Sequence, residues 1–352
     1  MSPLLNSVHS EKYKSQVLLW LFAGCFLVFG MVVVGGITRL TGSGLSITEW
    51  KVISGSIPPL NEAQWMEAFE KYKQIPQFQQ QNSNFELADF KFIYFWEFIH
   101  RLFGRLVGIV FLVGLIYFLW KKAVSVNLLL KLLFMFALGG IQGFLGWYMV
   151  SSGLTQNVRV SHIRLAIHLT FAFITFGYIF WVALSQLFDR EASNSSDVTK
   201  FRKAAKVLLG LLTLQIIYGA FVAGSKAGLV YNTWPKMYDR WVPEAIGYSF
   251  QKDGISSLIN NLASVQFIHR GLAYLVAVIT VILAYKICKL PNLHPSQKLA
   301  TYILLIGVFS QLILGIFTLL LNVPIVLGVL HQAFAFFLFA ALIYLIHRLR
   351  YE

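Results

Sequence analysis

Eight long apolar runs dominate the chain, at about 17–37, 93–119, 127–150, 164–187, 206–224, 264–287, 300–321 and 325–346. Crossing the hydrocarbon core takes roughly 20 apolar residues of helix. Each run meets that length, and none carries more than a few ionisable groups. Only helices or closed barrels satisfy their backbone inside lipid, and runs this long and continuous read as helices. The pattern therefore predicts an all-α integral membrane protein of eight transmembrane helices, surrounded by membrane lipid.

The intervals between runs fix the threading. The connections 120–126 and 288–299 carry Lys121, Lys122, Lys289 and Lys298, and 188–205 carries Arg190, Lys200, Arg202 and Lys203. Lys12 and Lys14 precede the first run, and Arg348 and Arg350 follow the last. Eight helices put all of these on one side, which the positive-inside rule makes cytoplasmic, with both termini there. The long loops 38–92 and 225–263 then lie outside. No Arg-rich, Ser-rich transit segment precedes the first run, which points to a bacterial plasma membrane. The sequence at Leu21–Cys25 resembles a lipoprotein cleavage box, but the run continues to Ile37, so a spanning helix is expected rather than a removed signal.

Composition agrees with this reading. Hydrophobic residues make up 57% of the chain and charged ones 12%, against roughly a quarter charged in soluble domains. The formal charge of +14 is spread over helix ends rather than gathered on one face, which excludes a nucleic-acid partner. Cys25 and Cys288 are the only cysteines. With no CxxC or Cys/His spacing they read as small buried hydrophobes, not zinc ligands.

The chain reads as a tandem duplication. Gly44-Leu45 followed by Trp50 matches Gly228-Leu229 followed by Trp234. Phe98-Ile99-His100-Arg101 matches Phe267-Ile268-His269-Arg270, and Gln142 with Gly146 matches Gln311 with Gly315. The histidine and glutamine matches share one separation, 169 residues. Two tandem four-helix bundles related by a pseudo-twofold axis along the membrane normal are expected. They would cover 1–188 and 206–352, with 189–205 as a cytoplasmic linker marked by Ser193, Asn194, Ser195 and Ser196.

The even-numbered runs each carry one histidine: His100, His168, His269 and His331. Each is expected one to two turns from the outer end of its helix, so all four reach a similar depth. One intramembrane histidine is often only a packing residue; four at repeated positions point to a ligand set. Iron porphyrin suits them, since imidazole is a good axial ligand and facing helices can clamp a planar ring. Zinc would need nearby Cys, Asp or Glu that the repeats do not supply. His9, His294 and His347 fall in cytoplasmic segments and read as incidental, and His162 as an auxiliary polar contact. Arg101, Arg270, Arg164 and Arg39 lie near these positions, where guanidinium can pair haem propionates or snorkel to the interface.

One difference between the halves is chemical. Glu97 stands three residues before His100, on the same helix face, and its counterpart before His269 is Gln266. A carboxyl can exchange protons and an amide cannot. This marks Glu97 as a candidate catalytic acid or base, a reactive first pocket and a holding second one. The plain alternative is an interfacial Glu97 paired with Arg101 or Arg105.

These residues resemble the haem A synthase family of cytochrome oxidase assembly. The resemblance rests on Gly35-Gly36-Ile37-Thr38-Arg39-Leu40-Thr41-Gly42-Ser43-Gly44-Leu45-Ser46, Glu49-Trp50, Pro58-Pro59 and Glu97-Phe98-Ile99-His100-Arg101-Leu102-Phe103-Gly104-Arg105. It continues through Arg164-Leu165-Ala166-Ile167-His168-Leu169, Phe267-Ile268-His269-Arg270 and Leu330-His331-Gln332. It implies an enzyme oxidising the C8 methyl of haem O to a formyl group by successive hydroxylations. It also implies a haem b cofactor at His269 and His331, substrate haem at His100 and His168, and Glu97 as the essential acid. Haem O synthase, an electron donor and a second copy of the chain are its candidate partners. Loop 38–92 holds no cysteine, unlike members with a cysteine pair there, so this chain resembles the cysteine-free branch. Two other readings compete: a bis-histidine cytochrome exchanging electrons with quinone, and a repeat-built transporter. The Glu97/Gln266 difference argues against the first. Prolines confined mostly to loops argue against the second.

Overall fold

A computed structural model describes residues 11–50, 54–154, 158–188, 196–291 and 293–350. His9 and the linker positions 189–195 lie outside the described residues. Among the described residues eight helices are long and apolar enough to span a bilayer. They are α1 (Glu11–Leu40), α4 (Leu87–Trp120), α5 (Val126–Leu154), α6 (His162–Leu187), α7 (Ser196–Ser225), α10 (Leu262–Cys288), α11 (Pro295–Leu320) and α12 (Ile325–Arg348). Every apolar run is thus a helix, and the chain is an all-α multi-pass membrane protein. Four shorter helices, α2 (Glu62–Lys73), α3 (Pro76–Gln81), α8 (Glu244–Asp253) and α9 (Ser257–Asn260), belong to the two long loops.

Helix starts follow local chemistry. Ser161 and Asn261 each accept a backbone N–H from the residue three positions on, opening α6 and α10. His294 caps α11 in front of Pro295, so it has a structural role rather than an incidental one. α1 stops where Gly42 takes a φ of 72° and Ser43 N–H donates to the Thr38 carbonyl at 2.8 Å, a left-handed closure that glycine adopts without strain.

The spans form two rings. α1, α4, α5 and α6 contact one another in cyclic order, as do α7, α10, α11 and α12, and the rings meet where α1 and α6 face α7 and α12. Large side chains fill that seam: Phe176 and Phe336 pack with tilted rings, centroids 4.0 Å apart, and Phe173 packs on Phe336 and Phe339. Gly177 lets the seam close, since a Cβ there would lie 2.9 Å from Ile343 Cδ1.

α7 begins at Ser196, inside the 189–205 stretch expected as a linker. Two expectations need correction. His347 is not incidental: it is fully buried in the last turn of α12, with its ring against Trp181 and its Nε2 3.4 Å from Ser185 Oγ. His100 is not within two turns of its helix end. α4 begins at Leu87, so its 34 residues stretch about 50 Å at about 1.5 Å per residue, well past a hydrocarbon core of about 30 Å.

The projecting turns of α4 carry a second small core. Phe90 and Ile93 are buried with Leu45, Phe69, Tyr72 and Ile75 from the loop between α1 and α4. Gln77 Nε2 donates to the Gly42 carbonyl at 3.0 Å and Gln77 Oε1 accepts from Tyr72 Oη at 3.1 Å, tying α3 and α2 to the end of α1. The described residues of loop 38–92 therefore form an ordered cap over the first ring.

Candidate active site

The histidines occupy one diagonal of each ring: His100 on α4 faces His168 on α6, and His269 on α10 faces His331 on α12. The rings of each pair are close enough to interact electrostatically. The other diagonal supplies glycine. A Cβ built on Gly35 would sit 3.2 Å from His100 Nε2, and one on Gly146 would sit 3.1 Å from His168 Cε1. In the second ring Gly219 stands 3.1 Å from His269 Cε1 and Gly315 2.9 Å from His331 Cε1 by the same measure. Each imidazole therefore leans on the bare backbone of the preceding span, an approach only glycine permits.

Two glutamines repeat the support. Gln142 Nε2 donates to the His168 carbonyl at 3.2 Å and lies 3.3 Å from its Nδ1; Gln311 does the same to His331 at 3.0 and 3.2 Å. Their Oε1 atoms and His269 Nδ1 are buried without a hydrogen-bond partner. Buried polar atoms left open in this way are unusual and mark an occupied or reactive place. Among the described residues no cluster of three or more His, Cys, Asp or Glu side chains converges. A paired-imidazole donor set fits a metal whose remaining ligands come from elsewhere, as the porphyrin nitrogens of haem do.

Glu97 and Gln266 have a shared task. Glu97 Oε2 accepts from Ser46 Oγ at 2.7 Å and Ile47 N–H at 2.9 Å, while Oε1 accepts from Arg101 Nη2 at 2.7 Å and Nε at 3.1 Å. Arg101 also donates to the carbonyls of Ile47 and Glu49 at 2.8 and 2.9 Å. In the second ring Gln266 Nε2 donates at 2.9 Å to the Ala227 carbonyl and also to that of Val230, and Gln266 Oε1 accepts from Arg270 Nη2 at 3.1 Å. Arg270 donates to the carbonyls of Tyr231 and Thr233 at 2.6 and 2.9 Å. Ile47 and Tyr231, like Glu49 and Thr233, are 184 residues apart, as are Gly35 and Gly219. Both side chains clasp the outer loop to the helix that carries the first histidine, with opposite hydrogen-bond polarity. Of the two partners weighed for Glu97, Arg101 forms the ion pair, and both side chains are nearly buried at 4% and 11% exposure.

The remaining arginines differ. Arg164 donates to the Tyr148 carbonyl at 2.7 Å and lies 3.9 Å over that residue's ring. The Arg39 side chain has no hydrogen bond or ion pair among the described residues, and its charge interacts with those of Arg159 and Lys226. Burial, and then the Arg159 and Arg39 guanidiniums, hold the Lys226 ammonium below the usual lysine range. The three cations are close enough to repel one another. Sequence reasoning missed Arg159 and Lys226, because nothing in their spacing links them to Arg39. His162, at the start of α6, packs edge-on against Phe221 in the same seam.

The rings also differ in tightness. α10 and α11 pack along much of their length, whereas α4 and α5 touch little. Beside that opening lies a cavity of about 400 Å³ lined by Trp50, Gly139, Gly140, Gly143, Phe144 and Trp147.

Comparison with known proteins places this geometry. Residues 18–343 match the family described as cytochrome oxidase assembly protein. A protein named Heme A synthase from Flavobacterium johnsoniae is 46% identical over 342 residues, covering 96% of this chain and 99% of the relative. Proteins of the same name from Flavobacterium psychrophilum and Nitrosospira multiformis are 48% and 44% identical, covering 96% and 97% of this chain and 99% and 96% of the relatives. With a match over nearly its whole length, this chain belongs to the cytochrome oxidase assembly protein family.

Proposed function

We propose that this protein is a haem A synthase, oxidising the C8 methyl group of haem O to a formyl group to give haem A for cytochrome oxidase. The observation that carries the reading is the pair of diagonal bis-imidazole pockets, each backed by glycine and glutamine, in a chain whose relatives bear that name. Those relatives favour it over the quinone cytochrome.

His269 and His331 hold haem b, and His100 and His168 receive substrate haem. Haem b, held by His269 and His331, would supply a redox-active iron. The chain's own residues supply the rest. Close packing of α10 on α11 suits a resident group, while the loose seam between α4 and α5 suits a ligand that must come and go. Arg39, with Arg159 and Lys226, receives propionates; Arg164 is nearby support. Arg101 and Arg270 donate to loop carbonyls and to Glu97 or Gln266, and act by holding the caps. Glu97 serves the reaction as a positioning residue, keeping Ser46 and Ile47 over the first pocket and water away from it.

Residues 1–188 form the substrate repeat and 206–352 the cofactor repeat, related by pseudo-twofold symmetry. The protein lies in a bacterial plasma membrane with both termini cytoplasmic and the haem sites toward the outer side. The test is expression in cells that make haem O but no haem A, followed by chromatography of extracted haems. Haem A is expected. Haem O alone, with the protein inserted and loaded with haem, overturns the proposal.

A further inference from the structure

At the ends of α6, α7 and α12 opposite the histidines, the seam opens into a cavity of about 520 Å³. Arg202 and Lys206 of α7 and Arg350 after α12 line it with Trp181, Leu209, Ile343 and Ile346. Charge and apolarity are sorted by depth. On α7 the sequence from mouth to floor is Arg202, Lys206, Leu209; on α12 it is Arg350, Ile346, Ile343. Spacings of three and four residues put Arg202, Lys206 and Leu209 on one face of α7 and Ile343 and Ile346 on one face of α12, with Arg350 just past its end. The Arg350 guanidinium lies 5.9 Å over the Trp181 ring, which places it on the mouth. No acidic side chain is among the lining residues.

We propose that this cavity binds an anionic phospholipid, its phosphodiester between Arg202, Lys206 and Arg350 and an acyl chain on Leu209, Ile343 and Ile346. The positive-inside rule asks for cations on this side but not for three around one cavity. Basic pockets between spans at this face suit anionic headgroups. A free phosphate shares the headgroup chemistry but would have no use for the aliphatic floor. Because α6 belongs to the first ring and α7 and α12 to the second, the lipid bridges the rings at the end away from the haem pockets.

The test uses the purified full chain in detergent. Bound lipid is counted by native mass spectrometry and the thermal midpoint is followed. Phosphatidylglycerol should bind and raise the midpoint, whereas phosphatidylethanolamine of the same acyl chains and inorganic phosphate should not. Each cation near a headgroup contributes roughly fivefold in affinity, so Arg202→Gln, Lys206→Gln and Arg350→Gln together should weaken binding about 100-fold. Lys200 and Lys203 are exposed and outside the cavity, so their joint replacement by glutamine should leave binding unchanged. If the triple variant does not accumulate, Lys206→Gln alone should weaken binding roughly fivefold. Equal binding of the two lipids, equal stabilisation by phosphate, equal loss in the control variant, or no loss in Lys206→Gln overturns the proposal.

Discussion

Replacing Glu97 by glutamine is the most informative single change, because the side chain's shape survives and its hydrogen-bond polarity does not. The carboxylate accepts two bonds from Arg101 and one each from Ser46 and Ile47. An amide has one oxygen. If it faces Arg101, the new NH2 meets the Ile47 N–H; if it faces Ile47, the NH2 meets the guanidinium. The Ser46 hydroxyl can turn and accept, but a backbone N–H cannot. One buried donor left open costs about 1–3 kcal/mol, and Arg101 loses its counter-charge in a nearly dry setting, for a combined cost of roughly 3–5 kcal/mol. The cap should then open roughly 10²-fold to several thousandfold more often, at about 1.4 kcal/mol per factor of ten. Hydrogen exchange across residues 42–50, measured beside haem A yield in the same membranes, reads this directly. Faster exchange, little haem A and normal haem b at the second pocket are expected. Ser46→Ala, which removes one bond to the carboxylate worth about 1.5–3 kcal/mol, should shift both readouts the same way but less. Wild-type exchange together with lost haem A in Glu97→Gln would refute the clasp and return the carboxyl to proton chemistry.

His269→Ala and His331→Ala should each abolish the low-spin b-type spectrum, while His100→Ala and His168→Ala keep it; the reverse pattern exchanges the roles of the two pockets. Gly315→Ala puts a methyl 2.9 Å from His331 Cε1 and should lower haem retention at an overpacking cost of about 1–3 kcal/mol. Gly140→Ala meets nothing within 4 Å and should be neutral, so equal haem content in the two variants counts against the glycine cradle. Folding disfavours the charged form of Lys226, so the unfolded chain holds its proton more tightly. Ligand-free protein should therefore gain stability as pH rises toward the ordinary lysine pKa of about 10.4. Thermal midpoints against pH should show this rise flattened in Lys226→Gln; an unchanged slope removes Lys226 from the cation cluster.

All eight spans are legible as apolar runs, because lipid demands length and hydrophobicity and little else. Their ends are not. Residues 87–92 mix Asp89 and Lys91 with aromatics, so only the packing of Phe90 against Tyr72 and Phe69 reveals that α4 continues there. The histidines and their paired glutamines stand out in sequence because the repeat displays each twice. The same repeat marks Gly146 and Gly315, though only coordinates show that each exists to admit an imidazole. The Glu97/Gln266 difference is visible in sequence but reads as reactivity, since the loop groups that both side chains bind lie 36 to 51 residues away. The i,i+4 spacing of Glu97 and Arg101 was the available clue. The cluster of Arg39, Arg159 and Lys226 comes from three distant segments and has no local signature.

Gln332, next to His331, donates from Nε2 to the Val32 carbonyl at 2.6 Å across 300 residues of chain. It rests against Gly36, whose Cβ would lie 3.2 Å from that same nitrogen. The first of the eight described spans is thus fastened by the last of them. During synthesis α1 can settle on α4 and α6, but its remaining flank stays open to lipid until α12 inserts. The same helix brings His331. Any group that needs both His269 and His331 can be held only once α12 is in place.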